Sequence, residues 1–149
     1  MAQGRVIDRD LGWSDFLSLI ADADDKVVVV GIFDGEIATY AAVNEYGSPA
    51  NNIPARPFMR TTIDDNSQEL AQMLRDRVNA AIARRNTTAT GALKAVGLQA
   101  RNMMDKSIRN WTDPPNAPST IENKGENNPL VDTGAMQASI TFEVRRRGF

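Results

Sequence analysis

The sequence predicts an α+β domain: a small, mostly antiparallel sheet packed against two long helices, with an extended proline-rich loop and a long arm. Three observations carry this. Val27-Val28-Val29-Val30-Gly31-Ile32-Phe33 is β-branched and apolar on both faces, as a central strand is. Ile140, Phe142 and Val144 alternate with Ser139, Thr141 and Glu143, the pattern of a half-buried strand. Between them, two long stretches carry apolar residues at helical spacing and are parted by the break Asn86-Thr87-Thr88-Ala89-Thr90.

Taken in order, Arg5–Asp8 reads as a short edge strand. Ser14 is placed to cap a short helix, with Asp15 complementing its dipole and Trp13, Phe16, Leu17 and Ile20 forming its apolar stripe. Asp22–Lys26 is a turn into the first strand, and Asp34-Gly35 ends that strand. Ile37–Tyr46 reads as a short helix stopped at Gly47, a left-handed C-terminal residue. Residues 47–60, GSPANNIPARPFMR, form a stiff loop, because each proline biases its predecessor toward extended geometry. Arg56 and Phe58 project from it, either into a contact surface or, for Phe58 and Met59, back into the core.

Asn66 with Glu69 three positions on suggests a capping box, opening a helix through Arg85 with Leu70, Met73, Leu74, Val78, Ala81 and Ile82 on its stripe. A second helix spans Gly91 to Trp111, where Gly97 and Ala100 on the apolar stripe allow close approach to a neighbour. The short connection makes the two an antiparallel pair. Residues 112–129 are rich in proline, asparagine and polar groups without periodicity, the start of an arm covering 112–134.

The 149 residues suit a single domain, 1–149, burying roughly two-thirds of its unfolded surface. With no cysteine and no histidine, the chain has no disulfide framework, no imidazole base and no His-based triad or zinc site. A net charge of -2 argues against a general nucleic-acid binder. MAQGRVIDRD lacks the apolar core of a signal peptide, and no run approaches the ~18 apolar residues of a membrane span, so the expectation is a cytosolic protein without a membrane partner.

Charge is unevenly spread. Residues 1–36 carry Asp8, Asp10, Asp15, Asp22, Asp24, Asp25, Asp34 and Glu36 against Arg5, Arg9 and Lys26. Residues 84–109 carry Arg84, Arg85, Lys94, Arg101, Lys106 and Arg109 against Asp105, and Arg145-Arg146-Arg147 lies near the end. These are two solvated faces or, more sharply, the complementary sides of a head-to-tail contact. The basic stripe also sustains a rival reading as a nucleic-acid-binding module.

Val131-Asp132-Thr133-Gly134-Ala135 matches the apolar-Asp-Thr-Gly-Ala signature of aspartic proteases, in which two carboxylates share a proton. That fold needs several strands and a flap after the motif, and only 15 residues remain after Gly134. The sequence therefore favours a turn, fixed by Asp132, Thr133 and Gly134, with Asp132 accepting backbone N–H bonds. No phosphate-binding glycine loop, nucleophile elbow or cofactor site is readable.

Three segments, in this order, resemble a family. Asn44-Glu45-Tyr46-Gly47 followed by Ile53-Pro54-Ala55-Arg56-Pro57-Phe58-Met59-Arg60 is similar to a signature of tailed-bacteriophage neck and tail-completion proteins, the head–tail connectors of Mu G-like or lambdoid type. Pro114-Pro115, Pro118, Ser119-Thr120-Ile121 and Lys124 resemble that family's arm, although its usual leucine-serine is replaced by Asn116-Ala117-Pro118-Ser119. Pro129-Leu130-Val131-Asp132-Thr133-Gly134-Ala135-Met136 with Ser139-Ile140 is similar to its closing motif.

The resemblance implies a non-enzymatic virion protein without cofactor or metal, assembled in the host cytoplasm into a ring, commonly hexameric, at the neck or tail. Its partners would be further copies, a neighbouring connector or head-closure ring, and the tail terminator or tail-tube protein, with passing contact to phage DNA in the lumen. The residues it places at subunit or partner interfaces are Glu45, Tyr46, Pro54, Arg56, Pro57, Phe58, Arg60 and Leu130. Arg56 is expected to meet a carboxylate across an interface, and Phe58 to fill an apolar pocket.

Overall fold

A computed structural model describes residues 12–84 and 88–148. The order of elements is α1 (Trp13–Asp24), β1 (Lys26–Ile32), α2 (Gly35–Tyr46), a single 3-10 turn (Pro49–Asn51), α3 (Phe58–Arg84), α4 (Ala89–Asn110), α5 (Pro118–Lys124), α6 (Ala135–Ala138) and β2 (Ile140–Arg146). The fold is α+β, with two long helices and one antiparallel sheet. Arg5–Asp8 lies outside the described residues.

β1 and β2 pair from Lys26↔Arg146 to Ile32↔Ile140. This register puts Val28, Val30 and Ile32 opposite Val144, Phe142 and Ile140 on one face, which α4 covers. Gly97 is where α4 comes closest: a Cβ there would lie 2.5 Å from the Phe142 ring and 2.7 Å from Val28. α3 packs on α4 with Leu70 against Val96 and Ala100, and Val30 and Ile63 reach this layer and the main core alike. The main core joins Ile32, Phe58, Ile108, Leu130, Met136 and Ile140, so residues 130–136 reach the same interior as the two long helices.

Several boundaries differ from expectation. α3 begins at Phe58 rather than Asn66, whose amide donates to Thr62 O at 2.7 Å inside the helix. Glu69 closes no capping box; its carboxylate accepts from Gln99 on α4 at 3.4 Å. α4 starts at Ala89, with the Thr88 hydroxyl accepting the Gly91 N–H at 3.1 Å. α1 follows Gly12, whose φ of 98° takes the cap position expected of Ser14. Asp34 closes the strand and also caps α2, accepting from Ile37 N at 3.1 Å.

The apolar stripe of α1 faces largely outward: Trp13 is 64% exposed and Leu17 and Ile20 are each 48% exposed. Periodicity identifies an apolar face without identifying what covers it.

Candidate assembly interface

The residues expected at interfaces divide into two groups. Glu45, Arg56, Phe58 and Leu130 are buried within this one chain. Glu45 ends α2 and turns its carboxylate onto the start of α3, where Oε2 accepts from Met59 N at 2.9 Å and Oε1 from Arg60 N at 3.1 Å. A negative charge there satisfies two of the helix's unpaired N–H groups and complements its dipole. Gly47, at φ 76°, makes the reversal after α2 possible, because a Cβ there would lie 2.8 Å from Ala55 N.

Arg56 was expected to reach a carboxylate in another subunit. Within the chain it spans two backbone carbonyls instead, Nε donating to Pro114 O at 3.0 Å and Nη2 to Pro115 O at 2.9 Å. Its own N–H donates to Asn44 O at 2.6 Å. Burial pushes the guanidinium pKa below its ordinary value. This charged fork ties the start of the arm to the proline loop. Phe58 lies in this chain's own core, the alternative to a contact surface that the sequence also left open for it.

The arm is exposed over most of its length, and three contacts fold it back. α5 ends at Gly125; Lys124 Nζ then donates to Asn128 O at 3.1 Å and also to Val131 O. Asn116 N donates to Asn127 Oδ1 at 3.0 Å. In the following turn Thr133 Oγ1 accepts from Ala135 N at 3.3 Å, and Gly134 adopts φ 78°. The turn is thus held by Thr133 in the role expected of Asp132, whose side chain is exposed. Asp132 and Glu36 line a shallow hollow of about 300 Å³, and no hydrogen bond joins their carboxylates.

The second group faces outward. Tyr46 is 72% exposed, Pro54 and Arg60 are exposed, and Pro57 is half-buried. Tyr46 and Phe33 stand at a trough of about 420 Å³ between β1, α2 and the start of α3. On α1, Trp13 stacks on Phe16 with ring centroids 5.4 Å apart, which leaves Leu17 and Ile20 open to solvent one and two turns on.

The basic stripe is interrupted. Arg101 Nε donates to Ile140 O at 3.0 Å, and the exposed Arg109 pairs with Asp105 at 3.1 Å, while Arg84, Lys94 and Lys106 also face outward. At the acidic end, Asp22 accepts from Lys26 and from Thr90 N, and these hydrogen bonds hold its pKa below the ordinary carboxylate value. Arg146 reaches Asp25 at 3.2 Å on the surface.

Sequence reasoning missed the uncovered face of α1 and the open edges of the sheet. Part of the second was readable: within the described residues only two stretches have strand character, so a sheet built from them alone must have two unpaired edges. No family model, curated protein or solved structure matches the chain.

Proposed function

We propose that this chain is a structural virion protein of a tailed phage, which assembles with further copies into a ring at the neck or tail-proximal end. The ring completes the tail and joins head to tail. The observation that carries the assembly part is the face of α1, where Trp13, Leu17 and Ile20 stand exposed at i, i+4 and i+7. A continuous apolar stripe on a folded chain marks an interaction site or an aggregation liability.

The phage part rests on the three resembling segments, and their packing supports reading them as one unit. Glu45 holds the start of α3, Arg56 holds Pro114 and Pro115, Lys124 holds Val131, and Phe58 shares a core with Leu130 and Met136. In this reading the interlocked residues build a platform, while Tyr46, Pro54 and Arg60 present themselves from it.

Light scattering on the purified chain, alone and mixed with a tail-tube protein, tests the reading. It predicts a discrete oligomer alone and a larger complex in the mixture. Salt-dependent retention on DNA by a chain that ignores tail components would favour the nucleic-acid module instead.

A further inference from the structure

We infer that neighbouring copies join by strand addition, the outer edge of β2 in one copy pairing along the outer edge of β1 in the next. This rests on the ring reading above and deepens it by naming the surfaces. The first observation is where the backbone groups point. Arg147 N donates to Asp25 O, and these residues stand directly opposite each other in the register. Alternation along an antiparallel pair then makes Val27↔Arg145, Val29↔Glu143 and Gly31↔Thr141 the hydrogen-bonded pairs.

The N–H and C=O groups of Val28, Val30, Phe142 and Val144 therefore point away from the sheet. Arg101, which donates to the Ile140 carbonyl from outside, fits this alternation independently. No hydrogen bond reaches the outward groups of those four residues among the described residues. Such a row of unmet groups is a template for another strand.

The second observation is the trough. Four consecutive residues, Val30, Gly31, Ile32 and Phe33, line it, so it runs along the edge of β1 rather than over one face. Its far wall includes Tyr46 and Met59. Inside β1 there is no charge or proline after Lys26 to discourage pairing.

Charge then selects the occupant. β1 is flanked by Asp22, Asp24 and Asp25 before it and by Asp34 and Glu36 after it. Pairing β1 with β1 of another copy brings carboxylate to carboxylate whichever way the strands run. Pairing β2 with β2 sets Glu143 against Glu143 about a two-fold axis, or arginine against arginine in parallel register. Pairing β2 antiparallel to β1 sets Arg145, Arg146 and Arg147 beside Asp24 and Asp25. The chain's own sheet already makes that match, Arg146 to Asp25 at 3.2 Å. Two unlike edges joined in this way form a heterologous contact, the kind that closes into rings.

Residue-resolved amide hydrogen exchange, on dilute monomer and on the concentrated oligomer, tests this. The amides of Val28, Val30, Phe142 and Val144 should each slow by about tenfold or more in the oligomer. Those of Val29, Gly31, Thr141 and Glu143 should be protected in both states. Val144→Pro removes an outward N–H and should give a folded monomer, whereas Val144→Thr should still assemble. An oligomer with no added protection at these amides, or with added protection on β1 alone, overturns strand pairing and leaves the ring standing. A chain that stays monomeric at every concentration overturns both.

Discussion

The segment around Glu45, Arg56 and Phe58 and the helix α1 make opposite use of similar residue types. In the first, charged side chains expected at an interface are withdrawn, Glu45 capping α3 and Arg56 spanning two carbonyls. Phe58, for which surface and core were both open, is fully buried. In the second, Trp13, Leu17 and Ile20, read only as an apolar stripe, stand largely exposed. The difference teaches that a distinctive motif can belong to the scaffold. An assembly surface can be made from residues that no motif distinguishes.

The contrast breaks most visibly at Phe58. Phe58→Ala removes a side chain with no exposed surface and should lower stability by about 3–5 kcal/mol, measured by denaturant unfolding. An unfolding midpoint close to the parent's would mean that Phe58 is not a core anchor. Gly97→Ala should cost about 1–3 kcal/mol, because the added methyl meets Phe142 and Val28 at contact distances that force one of them to move. A neutral result there would show that α4 rides higher on the sheet.

Glu45→Gln keeps an oxygen for one of the two N–H groups but removes the charge from the start of α3. A loss of about 1 kcal/mol is expected, with faster exchange at Met59 and Arg60 amides. Leu17→Ser sharpens the other side of the comparison. Its effect on stability should stay within about 0.5 kcal/mol, while oligomer formation weakens. Unfolding of the variant at ordinary temperature would instead make α1 part of the core.

The smallest effect concerns pH. Hydrogen bonds from Lys26 and Thr90 hold the folded-state pKa of Asp22 below its unfolded value. The contribution is therefore complete above the ordinary carboxylate value of about 4 and is lost as pH falls toward the folded-state pKa. The docking of α1 on the start of α4 should loosen in that acid window, and Asp22→Asn should flatten the dependence. Amide exchange at Thr90, whose N–H donates to Asp22, is the readout.

How much of this was legible follows from where each signal resides. β1 and β2 were readable because β-branched runs and strict alternation are local, and their boundaries fell within a residue or two of expectation. The start of α3 was misplaced by eight residues because its cap comes from Glu45, 13 positions upstream of Phe58, and only a folded chain brings them together. Pro57, immediately before Phe58, was the available local sign, since proline favours the first turn of a helix. Arg56 could not be assigned its partners from sequence, because they are backbone carbonyls 58 and 59 residues away. The outward face of α1 was invisible for the converse reason: its exposure is decided by how the other elements pack, which the residues of α1 do not encode.

The most direct test of the central claim is the sedimentation of the purified chain across a wide concentration range, beside Leu17→Ser. A chain that assembles should convert from 16.3 kDa to one discrete multiple of that mass as concentration rises, with the variant lagging behind. A parent chain that sediments at 16.3 kDa throughout, indistinguishable from the variant, would contradict it.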